Sequence, residues 1–329
     1  MALTFSRRDA VVTGLSCLGA ALVCPRPANA LAYPERPLRL IVPFSAGGVV
    51  DVLGRLWGER VKQSLHTVVV ENHGGGGGTI GAAEAARAQP DGYTLLLGNT
   101  STQILNPALM SRPPYDPAAF RAVSILANSA VSIAVSSQIP VRSLPELIDY
   151  IQKNPGKMSY GSPGTGTFTH LAGEMFKQLS ESRDVHHVPY RGAGPGISDL
   201  VSGHIPMMML NITNQVIELH RANKIRIVTV LSPKRLSALP DVPAATETVA
   251  GLVAVLFTGL FMPAGTPNEI VERVAQASGE AMSGGDFRQK LIEMGFDPLG
   301  DTPAEAQRFI DAERERLLPL VRSIGFKLD

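Results

Sequence analysis

Along this chain, short apolar runs of strand length alternate with stretches of helical spacing, and turns rich in glycine, proline, serine and threonine separate them. Residues 38–44 form the first run. Residues 49–63 follow, with Val52, Leu53, Leu56, Trp57 and Val61 recurring at helical intervals. Residues 67–71 read as a second strand and 82–88 as a helix, stopped by the turn Gln89-Pro90-Asp91-Gly92, with a third strand at 93–97. Further strands are expected at 123–127, 131–135, 158–161, 185–188, 205–210, 225–231 and 256–261. Helices are expected at 144–153, 168–179, 197–202, 268–282, 287–294 and 304–321, the last starting at Thr302-Pro303-Ala304-Glu305. Such alternation builds βαβ units, right-handed crossovers and mostly parallel sheets. With no repeat period and no long linker, the pattern implies two similar α/β halves joined by strands that pass between them.

Composition narrows the functions this architecture can serve. Glycine and proline make up 57 of 329 residues, about 17%, against roughly 12% in average chains. Only 18% of residues are charged and the net charge is +1, which with so many helix breakers rules out a coiled coil or a long helical bundle. A 44% apolar content excludes disorder. Near-neutrality and 5% aromatics leave no electrostatic footprint for nucleic acid.

Residues 1–32 read as an export signal. Ser6-Arg7-Arg8 precedes an apolar run at 10–23, and cleavage fits after Ala30 or Ala32. The paired arginines admit the twin-arginine route as well as the general one. A periplasmic location is therefore expected. Removing this segment takes away Arg7, Arg8, Arg26 and Asp9, which leaves a mature net charge of about −1. Both cysteines, Cys17 and Cys24, go with it, so the mature chain has no disulfide, thiolate nucleophile or cysteine-ligated metal.

Four loops share one design, a strand end followed by small or hydroxyl residues. Phe44 leads into Ser45-Ala46-Gly47-Gly48 and a helix that carries Asp51 in its first turn. The third strand leads into Gly98-Asn99-Thr100-Ser101. Tyr160 leads into Gly161-Ser162-Pro163-Gly164-Thr165-Gly166-Thr167, with His170 in the first turn of the next helix. Tyr190 leads into Arg191-Gly192-Ala193-Gly194. Ligands of open α/β sheets bind beyond the carboxyl ends of the strands, where backbone N–H groups and helix N-termini favour anions. Four such loops in two halves suggest a shared cleft for a small carboxylate. Asp51 can complement the helix dipole or orient ligand or loop, and Arg191 can pair with a ligand carboxylate or lie at the surface.

Sharper chemistries fit less well. Gly76-Gly77-Gly78-Thr79-Ile80-Gly81 matches a dinucleotide fingerprint, but no acid follows the next strand to hold a ribose. Ser162 sits in an incomplete nucleophile elbow. His186 and His187 are adjacent on a strand and point to opposite faces, unsuited to one metal. No cofactor, metal or catalytic residue is expected.

An ordered set of motifs identifies a relative. Pro37 to Phe44, Gly47-Gly48, Val69-Val70-Glu71-Asn72, Pro90-Asp91-Gly92-Tyr93, His170-Leu171-Ala172-Gly173-Glu174, Val188-Pro189-Tyr190-Arg191-Gly192, Pro263-Ala264-Gly265-Thr266-Pro267 and Lys327-Leu328-Asp329 stand in the order seen in one family. The chain resembles the Bug family, solute-binding proteins of tripartite tricarboxylate transporters, over essentially all of its mature length. The resemblance implies a type II, two-lobed Venus-flytrap α/β fold with two crossover strands. Residues 33–129 and 233–329 would form lobe 1, and 130–232 lobe 2. Phe44 to Gly48 and Asn99, Thr100 and Ser101 would line the cleft from the first lobe. Thr165, Gly166 and Thr167 with Tyr190, Arg191 and Gly192 would line it from the second. Ser45-Ala46 stands where relatives commonly show Pro-Pro, and Pro206 and Leu210 stand where they often carry Asp, while Asn211 remains. Fewer acids near the cleft favour a ligand without an ammonium group. The expected protein is a monomeric binder of a mono-, di- or tricarboxylate that hands its ligand to a membrane permease. The alternatives are a partner of a membrane sensor and an exported α/β enzyme.

Overall fold

The computed structural model describes residues 33–323 and 325. The export-signal reading of residues 1–32 and the terminal Lys327-Leu328-Asp329 motif lie outside the described residues. The chain runs β1 (Leu38–Val42), α1 (Val49–Leu65), β2 (Val68–Asn72), α2 (Thr79–Ala86), β3 (Thr94–Asn99), α3 (Asn106–Leu109) and β4 (Phe120–Ser136). It continues with α4 (Leu144–Lys153), β5 (Met158–Ser162), α5 (Phe168–Leu179), β6 (Val185–Pro189), α6 (Ala193–Ser202), β7 (Met207–Asn211), α7 (Asn214–Arg221) and β8 (Ile225–Val230). The last elements are β9 (Val255–Pro263), α8 (Asn268–Ser283), α9 (Gly285–Glu293), β10 (Phe296–Pro298) and α10 (Pro303–Ser323).

The strand order is β2-β1-β3-β9-β4-β7-β5-β6, with β8 and β10 also paired to β4. Each end is parallel, β1 with β2 and β3, and β5 with β6 and β7. The middle is antiparallel, because β9 pairs with β3 and β4, and β4 with β7, β8 and β10. The sheet is therefore mixed rather than mostly parallel: βαβ units fill the two lobes and antiparallel pairing joins them. The two strands expected at 123–127 and 131–135 are one strand of 17 residues, β4. The apparent break at Asn128-Ser129 lies inside the ladder, opposite Phe257 and Leu256, and Ser129 Oγ donates to the Ile212 carbonyl. The first part of β4 pairs with β9 and its last part with β7, so this strand crosses between lobes. The return from β8 to β9 runs through residues 231–254, tied by Leu231 N–H to the Val131 carbonyl and Ala254 N–H to the Leu231 carbonyl, both 2.7 Å.

The helices form where apolar residues recur every three or four positions, and they bury that face against the sheet. In α1, Leu53, Trp57 and Val61 are buried, each contributing about 1.5–3 kcal/mol. Trp57 keeps its indole N–H satisfied by donating to Ser278 Oγ of α8, 3.1 Å away. Gly54 lets α1 lie close on the sheet, since a methyl there would come within 2.8 Å of Leu97. At the start of α10, Thr302 and Glu305 form the expected reciprocal cap. The short elements α3, α7 and β10 carry too little periodicity to be read from sequence. No helix among the described residues is long and apolar enough to cross a membrane.

Candidate functional site

The carboxyl ends of β1, β3, β5, β6 and β7 open onto a cavity of about 650 Å³. From the first lobe, Phe44, Ser45, Gly47, Gly48, Val49 and Val50 line it, with Asn99 and Ser101. From the second come Thr165, Thr167, Phe168 and Thr169, then Tyr190, Arg191, Gly192, Ala193 and Ile197, then Leu210, Asn211, Thr213 and Val216. Leu256, at the start of β9, completes the wall. All four loops singled out by their composition thus reach one cavity. Among the described residues, no Asp, Glu, Lys or His lines it, and Arg191 is its one fixed charge.

Four helix N-termini face this space, and their caps differ. In α5, Thr167 Oγ accepts from the His170 N–H, and the Phe168 N–H donates across the cleft to Ser101 Oγ at 2.9 Å. In α7, Thr213 accepts from Val216. The N-termini of α1 and α6 begin at Gly48 and Gly192, neither of which supplies a side-chain cap. Their first N–H groups and positive dipole ends are the anion-receptive features of the cavity, one from each lobe. Arg191 precedes the second of them.

The lobes touch directly at the mouth. Ser45 Oγ donates to the Arg191 carbonyl at 2.7 Å. Gly192, with φ +139°, lies so close that a methyl there would sit 2.7 Å from Ser45 Oγ. Gly77, with φ +65°, meets the Thr165 carbonyl, which would lie 2.8 Å from a methyl at that position. Gly77 belongs to a lining segment, Gly74 to Gly78, whereas in the sequence Gly76 to Gly81 reads as a poor dinucleotide fingerprint and a family motif and was not counted as a cleft loop. Asn72, Thr169 and Thr213 were also missed. The available signal was the position of the glycine run just past the carboxyl end of β2.

Five residues expected at the cleft do not line the cavity. Asp51 is buried behind the first loop, where it accepts from Gly47 N–H and Asn72 Nδ2, both at 2.9 Å, and pairs with Arg55. Burial pushes its carboxyl up, but the hydrogen bonds from Arg55, Gly47 and Asn72 outweigh this and hold it below the usual carboxylate range. Its geometry is that of a loop-positioning group. Thr100 is buried with its hydroxyl accepting from Phe257 N–H. Ala46 points to solvent. Gly166 is buried against Gly77 and donates to His170 Nδ1 at 3.3 Å.

His170 stacks on His187 with ring centroids 3.8 Å apart. Burial pushes His170 down to about 3, with the neighbouring His187 and Lys177 adding to the shift. Burial likewise pushes His187 down to about 4. His187 Nε2 hydrogen-bonds Ser162 Oγ at 2.7 Å, and Ser162 in turn holds Gly164. This Ser–His contact does not form a nucleophile site, because Ser162 is wholly buried and does not line the cavity. The two histidines brace the 162–167 loop from behind. His186 is exposed on the opposite face of β6, as its place on a strand required. No group of three His, Cys, Asp or Glu among the described residues could hold a metal ion.

A cavity between two α/β lobes, fronted by uncapped helix ends, is accompanied by a family match: the tripartite tricarboxylate transporter family receptor, TctC, matches residues 55–326. This chain belongs to the TctC family. Protein BugT of Bordetella pertussis is 31% identical to this TctC-family chain over 306 residues, covering 92% of it and 93% of BugT. A solved structure of a periplasmic transporter is 39% identical, with a TM-score of 0.86 over 91% of this chain and 100% of that one. R. palustris Rpa4515 with adipate gives 30% identity and a TM-score of 0.86, covering 89% and 98%. MatC from Rhodopseudomonas palustris with bound malate gives 29% and 0.80, covering 86% and 98%. These matches place the chain among the Bug and TctC binding proteins that its motifs resemble.

Proposed function

We propose that the chain is a periplasmic solute-binding protein that captures a small organic carboxylate between its lobes and delivers it to a membrane permease. The carrying observation is the cavity itself: the uncapped N-termini of α1 and α6 face it from opposite lobes, and no acidic side chain among the described residues lines it. A carboxylate there takes N–H groups of both lobes and the Arg191 guanidinium at once. Those contacts exist together only when the cleft is closed, so the ligand shifts the open–closed equilibrium by its differential affinity. The adipate and malate complexes of relatives support the ligand class. The family description supports handover to a tripartite transporter. Residues 33–129 with 233–329, and 130–232, are the proposed moving bodies, acting within a monomer.

A thermal-shift series with mono-, di- and tricarboxylates tests this reading. An acid at 100 times its Kd should raise the unfolding free energy by about 2.7 kcal/mol. A melting temperature unmoved by every acid in the series would contradict it.

A further inference from the structure

The cavity wall is sharply divided by polarity. Ile197, Leu210 and Val216 belong to one buried apolar cluster of the second lobe, yet all three also line the cavity, as does Leu256 at the start of β9. Beside Leu210 stands Asn211, whose Nδ2 is buried in the wall with no hydrogen-bond partner. A buried donor left without an acceptor is costly, and because Asn211 itself lines the cavity, a small turn of its amide would bring Nδ2 to an acceptor held there. Among the described residues, Arg191 is the only fixed charge in the lining. A second carboxylate laid against the side chains of Ile197, Leu210, Val216 and Leu256 would lose its hydration to groups that offer it no hydrogen-bond donor.

Building on the carboxylate reading above, we propose that the ligand is a monoanionic acid with an apolar body seated on Ile197, Leu210, Val216 and Leu256, and with one uncharged hydrogen-bond acceptor for Asn211 Nδ2. Hydroxyl, ketone and amide oxygens supply such an acceptor. At about 650 Å³ the cavity lies within the range that holds ligands of drug size, well beyond a short diacid. Asn211 is then a specificity-determining residue, and Leu210 sets the polarity of the wall beside it.

Calorimetric titration of the purified protein with hexanoate, decanoate, 5-oxohexanoate, 9-oxodecanoate, adipate and sebacate tests this directly. Each monoacid should bind at least tenfold tighter than the diacid of equal length. Affinity should rise about fourfold per methylene placed on the wall. The better-fitting oxo acid should exceed its plain counterpart by about tenfold. Asn211→Leu should erase that advantage and strengthen the plain monoacids, and Leu210→Asn should weaken them. Diacids binding as tightly as monoacids would overturn the proposal, as would an Asn211→Leu variant with an intact melting curve that keeps the oxo-acid preference. Silence across all six acids by a folded protein would overturn the carboxylate reading itself, a result distinct from a diacid preference.

Discussion

At the scale of single residues, the site depends on groups that never touch the cavity. Asp51 holds Gly47 N–H, Asn72 and Arg55, and so fixes the turn from which the first amides of α1 emerge. Asp51→Ala leaves the Gly47 N–H without its acceptor and should lower stability by about 1–3 kcal/mol. It should also weaken acid binding several-fold, read by denaturant unfolding and titration; unchanged affinity would mean that the turn keeps its shape unaided. The stacked histidines give a pH dependence with a definite sign. His170 and His187 are held down to about 3 and about 4 in the folded chain, whereas an unfolded histidine titrates near 6.5. Between those values the unfolded state binds more protons, so stability should fall as pH drops below about 6.5 and continue falling towards about 4. His170 alone should account for about 2 kcal/mol between pH 7 and pH 4.5. The double variant His170→Gln, His187→Gln should flatten that slope in urea melts, and a slope equal to wild type would remove the histidines from the account. Neither role was legible beforehand, because spacing shows which residues can share an element face but not which side chains of different elements stack behind a loop.

At the scale of elements, the sequence was most readable where one period dominates. The helices α4 and α5 stand at the residues their apolar spacing dictated, Leu144–Lys153 and Phe168–Leu179. The four strand-to-helix loops were legible because small and hydroxyl residues cluster there for a backbone reason. Within them, Asp51, Thr100 and His170 turned inward to protein partners, a choice made by tertiary contacts. Reading β4 required more than local pattern, since Asn128 and Ser129 look like a turn until their partners on β9 are known. The glycine run was rightly set aside as a dinucleotide fingerprint but not counted among the cleft loops, because the approach of Gly77 to the Thr165 carbonyl of the opposite lobe is a tertiary contact. Gly77→Ala tests this. The added methyl would meet the Thr165 carbonyl in a left-handed backbone conformation, so the mouth should close less fully. Acid affinity should fall tenfold or more with only a modest change in melting temperature, and wild-type affinity would show that this contact does not accompany binding.

At the scale of the whole molecule, β4 and the 231–254 return join two lobes whose facing surfaces supply N–H groups, hydroxyls and one arginine. The low charge and high glycine content of the sequence suit the proposed design, in which backbone and dipoles rather than paired side-chain charges would receive the anion. Closure on the ligand should reduce the radius of gyration in solution scattering when a stabilising acid is added, and an unchanged profile would argue that the lobes do not move. The most direct measurement is a crystal structure of the protein with the acid it binds most tightly. The account predicts carboxylate oxygens within hydrogen-bond distance of the first N–H groups of both α1 and α6, with Arg191 alongside. An acid held elsewhere, or one that takes donors from a single lobe only, would contradict it.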